Sequence, residues 1–221
     1  MISFETIRAK QFGIEHFICI SVNPKEAIER PLALNAFEAM KKYIDRERVV
    51  AIGEIGFNLI NDLEEELFIK QMDLASEKDM LMTIHLPHTN KPEGMSRIEN
   101  ILLGSNNKYN RKKILVDHNV EETIEKTLDL GLWAGLSVYP ETKLSPKRAM
   151  NIIKKYGTDK IMIHSAADWG VSDPLSVPLV AREMRKAGNF STSEIEEVTF
   201  YNANEFFRQS SKFIWRPYNT I

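Results

Sequence analysis

The stretch Val49-Val50-Ala51-Ile52-Gly53-Glu54-Ile55-Gly56 is an apolar run interrupted by a single carboxylate. It is too short for an ordinary helix and too apolar for a surface loop. Such runs suit strands buried on both faces, as in a parallel sheet covered by helices. A carboxylate at the end of that strand is costly to bury unless it is paired or bound to a cation. The segment therefore predicts a parallel α/β fold and marks Glu54 as a functional candidate.

Outward from this segment the same pattern recurs. Apolar runs at residues 16–21, 49–55, 81–85, 114–118, 132–138 and 160–164 read as strands. Between them, helices are expected at residues 32–45, 63–78, 121–130, 146–156 and 175–186, and a last one from Ser191 or Thr192 to about Arg208. Several of these carry terminal signals. Ser145 stands before Pro146 as an N-cap, and Gly131, Gly157 and Gly188 stand where helices stop. Strands alternating with helices give a parallel sheet, and strand ends spaced about 20 to 33 residues apart fit βα units. With no linker or low-complexity segment, residues 1–208 read as one domain and 209–221 as a tail that packs outside or frays.

The composition is that of a globular domain: 221 residues, 43% hydrophobic and 27% charged, with a formal charge of −2. Acidic and basic residues are mixed along the chain, and no Lys/Arg block marks a nucleic-acid surface. The single cysteine, Cys19, lies in the run Phe17-Ile18-Cys19-Ile20 and reads as a small buried hydrophobe. One thiol cannot form an internal disulfide, no run reaches the ~18 apolar residues of a bilayer span, and the first residues lack a secretory h-region. These features predict a cytoplasmic protein.

Polar residues with chemical capacity sit where the strands end. Glu54 is joined by His85, which closes Met80-Leu81-Met82-Thr83-Ile84-His85. His118 follows Ile114-Leu115-Val116-Asp117, and Asp168 lies just past Ile161-Met162-Ile163-His164-Ser165. In a parallel barrel all C-terminal strand ends open on one face, so residues far apart in sequence converge there. Two imidazoles and two carboxylates gathered in this way suit Zn²⁺ or another divalent first-row cation. Any one of these histidines alone is equally well a hydrogen-bonded structural residue, so the argument rests on the set. His88 and Lys91, in the loop after His85, and Trp169, beside Asp168, are candidates to face substrate. His16, at a strand start far from the active face, reads as structural.

The ordered series of motifs resembles the TatD-like branch of the amidohydrolase superfamily. Residues 50–56, Val-Ala-Ile-Gly-Glu-Ile-Gly, resemble that family's strand with a ligand glutamate. Gln71 with Leu74-Ala75, Ile84-His85, Asp117-His118, residues 131–137 and Asn202-Ala203 with Phe206-Phe207 follow in the family's order, from about Gly13 to Phe207. Residues 165–174, Ser-Ala-Ala-Asp-Trp-Gly-Val-Ser-Asp-Pro, resemble one TatD-related branch. The resemblance implies a TIM-type (β/α) barrel and a metal-dependent hydrolase acting on a phosphodiester, ester or amide-like bond through an activated water. It implies one or two divalent ions, zinc first and Mg or Mn as alternatives, with Glu54, His85, His118 and Asp168 as ligands and Asp168 also as general base.

Two departures accompany it. The family's opening His-x-His strand is absent, so the resemblance implies an incomplete barrel whose first two βα units are missing. Apolar surface is then expected along residues 16–21 and 160–164. The aligned position of the family's last aspartate holds Ala166, which leaves Asp168 to reach in, with His164 and Asp173 as substitutes. The substrate expected is a small molecule or short nucleotide. The competing expectation is a non-catalytic barrel remnant that binds a ligand or partner.

Overall fold

Each apolar run forms a strand, and the six strands pair in parallel in sequence order, β1-β2-β3-β4-β5-β6. The structure is a computed structural model that describes residues 2–138, 143–166 and 173–215. The strands are β1 (Ile18–Ile20), β2 (Val49–Gly56), β3 (Leu81–His85), β4 (Ile114–Asp117), β5 (Trp133–Val138) and β6 (Ile161–Ser165). Helices α1 (Ile2–Gln11), α2 (Arg30–Met40), α3 (Asp62–Glu77), α4 (Lys91–Gly104), α5 (Ile124–Asp129), α6 (Pro146–Tyr156) and α7 (Ser176–Ala187) alternate with them. The last helical stretch is α8 (Thr192–Glu196), a π-turn (Glu197–Tyr201) and α9 (Asn202–Arg208). The sheet curls into half of a barrel, with helices on its convex side.

The helix signals act as their chemistry dictates. Ser145 accepts the Arg148 N–H ahead of Pro146, and α6 stops at Gly157, whose φ of 82° suits a residue without Cβ. Ser191 and Glu194 form a reciprocal capping box that opens α8. Between β3 and β4, where the sequence signals no helix, α4 forms. Pro92 and Gly94 obscure its start, yet Met95, Ile98 and Leu102 recur at helical spacing and are buried.

Strand alternation decides what each face carries. Outward, Ile52, Ile55, Met82, Ile84, Ile114 and Val116 pack with Phe68 and Met72 of α3. The neighbouring outward cluster joins Ala134, Leu136, Ile161 and Ile163 to α6 and α7. On the concave side a lower layer of Ala51, Leu81, Leu115, Trp133 and Met162 is closed from below by Phe206 of α9. The Phe206 ring lies 5.7 Å from that of Trp133 and is fully buried. Asn202 fixes α9 beneath β6 by donating to the carbonyls of Thr158 and Ile161, each at 2.7 Å. The start of the tail follows, with Phe213 against Phe17 at 4.5 Å and Lys212 donating to the Ile44 carbonyl at 2.7 Å.

Among the described residues β1 and β6 each pair on one side only. The expected apolar exposure occurs at β1, where Cys19 is exposed and Ile18 and Ile20 are half-buried. It does not occur at β6. Ile161, Met162 and Ile163 are buried because α7, the π-turn and α9 pack on that strand. Cys19 therefore corrects the expectation of a buried hydrophobe: it sits on the open edge strand.

Candidate metal centre

Glu54 owes its position to an irregularity in β2. Gly53 pairs with Thr83 and Ile55 with Ile84, so Glu54 is the extra residue of a bulge. Ile52 and Ile55 both pack outward, and the bulge absorbs the change of phase, leaving Glu54 on the concave side. The Gly53–Glu54 peptide is cis. A Cβ on Gly53 would lie 1.6 Å from Thr83 Oγ1, so only glycine allows this approach to β3. Ser21 Oγ donates to the Glu54 carbonyl at 2.8 Å. The loop that leaves β1 is held by Gln71, which accepts from Val22 N at 2.7 Å and donates to Val22 O at 3.1 Å.

His85 closes β3, and His118 follows β4 with a φ of 61°. The ligand-type atoms of Glu54, His85 and His118 lie within 4.8 Å of one another. Glu54 Oε1 is 3.2 Å from His118 Nε2, Glu54 Oε2 is 3.7 Å from His85 Nδ1, and the two rings meet edge to face at 4.7 Å. Among the described residues neither buried His85 nitrogen has a hydrogen-bond partner, an expensive state that a bound cation would relieve. Burial alone would raise the Glu54 pKa, but His118 and His85 outweigh it and draw it down to about 2. Burial lowers that of His118 and keeps its imidazole neutral, the form in which histidine binds metal. A carboxylate and two imidazoles, one with no hydrogen-bond partner among the described residues, thus fit a divalent cation.

A second layer surrounds His118. Asp117 Oδ1 accepts from the His118 N–H at 2.5 Å and the Ser137 hydroxyl at 3.1 Å, and it pairs with His164 Nε2. Burial opposes charge on both partners of that pair, but their mutual attraction prevails. The Asp117 carboxyl is held well below the usual range and the His164 imidazole is raised. The pair needs Gly135 between its members, because a Cβ there would lie 2.8 Å from His164 Nε2 and 2.9 Å from Asp117 Oδ1. Lys143 Nζ approaches His118 Nδ1 and Nε2 at 3.1 and 3.3 Å. Lys91 Nζ donates to the Pro87 carbonyl at 2.9 Å, and burial together with the Lys143 ammonium draws its pKa down to about 8.

Of the residues expected from sequence, Glu54, His85 and His118 come together. Asp168 and Trp169 lie outside the described residues. His88 is exposed on the loop between β3 and α4. Asp173 is occupied at the start of α7, where its side chain accepts Leu175 N at 2.8 Å and its carbonyl accepts the Ser176 hydroxyl at 2.7 Å. Sequence reasoning missed Ser137, Gly135 and Glu64. Buried Glu64 accepts the N–H groups of Asn58, Leu59 and Ile60 at 2.9 to 3.0 Å and so shapes the loop that leaves β2. Ser137 and Gly135 were accessible from the two-residue period of β5, which faces Trp133, Gly135 and Ser137 inward.

The fold and this cluster define a parallel (β/α) barrel-type protein with its polar site at the carboxyl ends of the strands, the usual seat of chemistry in such barrels. Comparison with known proteins specifies the class. The chain matches the TatD-related DNase family over residues 5–208, and it belongs to that family of hydrolases. It is 29% identical over 208 residues to an "uncharacterized metal-dependent hydrolase" of Methanocaldococcus jannaschii, covering 94% of this chain and 80% of the relative. The crystal structure of a TatD-like protein from Archaeoglobus fulgidus superimposes with a TM-score of 0.69 at 24% identity, covering 93% of this chain and 78% of that one. A phosphotriesterase homology protein from Escherichia coli, crystallised with phosphate in its active site, shares the fold with a TM-score of 0.68 at 16% identity, covering 93% and 79%.

Proposed function

We propose that this chain is a metal-dependent hydrolase that cleaves a phosphodiester, ester or amide-like bond with water, and that Glu54, His85 and His118 hold its divalent cation. The observation that carries the reading is the buried His85 ring, whose nitrogens have no hydrogen-bond partner among the described residues and lie beside Glu54 and His118. A mixed oxygen and nitrogen donor set favours zinc, with manganese or magnesium as the alternatives. A cation bound there supplies Lewis acidity at the scissile group and a water acidic enough to ionise near neutral pH.

The chain's own residues do the rest. Glu54 keeps its charge to low pH and offers one oxygen toward each histidine. Asp168, on the segment after β6, is assigned as a further ligand or as the base that takes the proton of the attacking water. His88 and Trp169 are assigned to substrate. Lys91 and Lys143 place positive charge beside the cluster, which favours an anionic substrate such as a short nucleotide or another small phosphate ester. A reducing cytoplasmic setting fits a chain with one cysteine, and no helix among the described residues is long and apolar enough to cross a membrane.

Family membership and the gathered donors favour the enzyme over a ligand-binding remnant. The test is hydrolysis of a chromogenic phosphodiester by protein reloaded with zinc or manganese after chelation. Activity is expected to return with metal and to disappear in Glu54→Gln and His118→Ala. Turnover that persists in either variant, or that ignores the chelator, would overturn the assignment.

A further inference from the structure

His118 presents two ring nitrogens to two carboxylates. Nδ1 faces Ser137 Oγ at 2.5 Å, and Ser137 Oγ lies 3.1 Å from Asp117 Oδ1. Nε2 faces Glu54 Oε1 at 3.2 Å. A neutral imidazole carries one proton, so only one of these sides receives it.

The Asp117 side has the stronger claim, through the hydroxyl of Ser137. An ionised carboxylate only accepts, so the Ser137 proton goes to Asp117 Oδ1 and leaves the Ser137 oxygen to accept from Nδ1–H.

His164 and Gly135 complete the arrangement. His164 Nε2 bonds the same Asp117 oxygen and its Nδ1 lies 3.4 Å from the Ser165 carbonyl, so Asp117 is pinned from β6 as well as from the backbone of His118. Gly135 on β5 leaves the gap through which β4 and β6 side chains meet.

We infer that Asp117, Ser137 and His164 form a positioning relay that fixes His118 as its Nδ1–H tautomer and turns Nε2, as a lone pair, toward Glu54. These three are positioning residues, acting on the site through His118. The consequence is that two acceptors, Nε2 and Glu54 Oε1, converge with no proton between them, which is the arrangement a cation relieves. The relay's tie to metal affinity rests on the proposed function, whereas its effect on the tautomer does not. Relays that hold a histidine ligand through its second nitrogen are typically worth 10- to 100-fold in metal affinity.

The experiment has two readouts on the full chain. Long-range ¹H–¹⁵N spectra of metal-free, ¹⁵N-histidine-labelled protein at neutral pH report the tautomer, with His118→Gln supplying the assignment. Cobalt(II) titration, followed by visible absorption, reports affinity in wild type and Ser137→Ala. The Nδ1–H signature in wild type, its loss in Ser137→Ala, and cobalt binding weakened about 10- to 100-fold are expected. An Nε2–H signature in wild type overturns the relay even if Ser137→Ala cannot be purified folded. Unchanged cobalt affinity in a folded Ser137→Ala also overturns it. If wild type shows Nδ1–H but binds no cobalt, the relay stands and the metal reading falls.

Discussion

Gly135→Ala adds one carbon at the most crowded point behind the site. The new Cβ would stand 2.8 Å from His164 Nε2, 2.9 Å from Asp117 Oδ1 and 3.4 Å from Asp117 Cα. Unstrained contacts to carbon begin near ~3.5 Å, so both polar atoms must retreat by roughly 0.6 Å. Asp117 Cα is backbone of β4 and cannot follow freely, so the displacement falls on the Asp117–His164 pair. Overpacking of this size costs about 1–3 kcal/mol. Parting a buried ion pair adds to that, less than the ~3–5 kcal/mol of deleting a partner because both groups remain. The lower backbone entropy of alanine returns about 0.5–1 kcal/mol. A net loss near ~2 kcal/mol is expected, which corresponds to a fall of about 4–8 °C in Tm for a domain of this size. Thermal unfolding of the metal-free protein measures it, with Gly104→Ala as control. That position has nothing within 4 Å of an added Cβ and should hold or gain stability. A Gly135→Ala midpoint within ~1 °C of wild type would refute the steric reasoning.

Two further outcomes concern stability. Glu64→Ala removes the acceptor of three N–H groups after β2 and should cost about 3 kcal/mol in urea unfolding, with Glu64→Gln retaining part of it. A loss below ~0.5 kcal/mol in Glu64→Ala would mean that this loop is held by something else. The pH profile of the metal-free protein follows from the buried pair. Asp117, with its pKa depressed, contributes stability above the ordinary value of 3.8 and loses it as pH falls through the folded value. His164, with its pKa raised, contributes fully below 6.5 and loses that contribution as pH rises through its folded value. His118 is lowered, so its burial penalises the fold only as pH falls below 6.5. The urea midpoint should therefore peak near the ordinary histidine value of 6.5, and Asp117→Asn should flatten both limbs. A wild-type midpoint that climbs steadily above that pH contradicts the sign assigned to His164.

What the sequence revealed and what it hid divide along physical lines. Strand positions were readable because strands buried on both faces leave continuous apolar runs, as in Leu81–His85. Glu54, His85 and His118 were readable because strand ends of a parallel sheet converge. The helix Lys91–Gly104 was hidden by Pro92 and Gly94 in its first turn, where proline is tolerated and glycine packs against Pro87. Cys19 was misjudged because an apolar run says nothing about whether its strand has neighbours on both sides, and among the described residues β1 has one on one side only. The Asp117–His164 pair was hidden because it spans two strands that are not adjacent, across a glycine on the strand between. No local pattern encodes such a meeting, although the inward period of β5 would have exposed Gly135 and Ser137.

The most direct measurement of the central claim is calorimetric titration of chelator-stripped protein with Zn²⁺, in wild type and in His85→Ala. Saturable binding at about micromolar affinity or tighter is expected in wild type. That binding should be lost in His85→Ala, which deletes the ring whose nitrogens have no hydrogen-bond partner among the described residues. No binding in wild type, or equal binding in the variant, would contradict a metal centre at Glu54, His85 and His118.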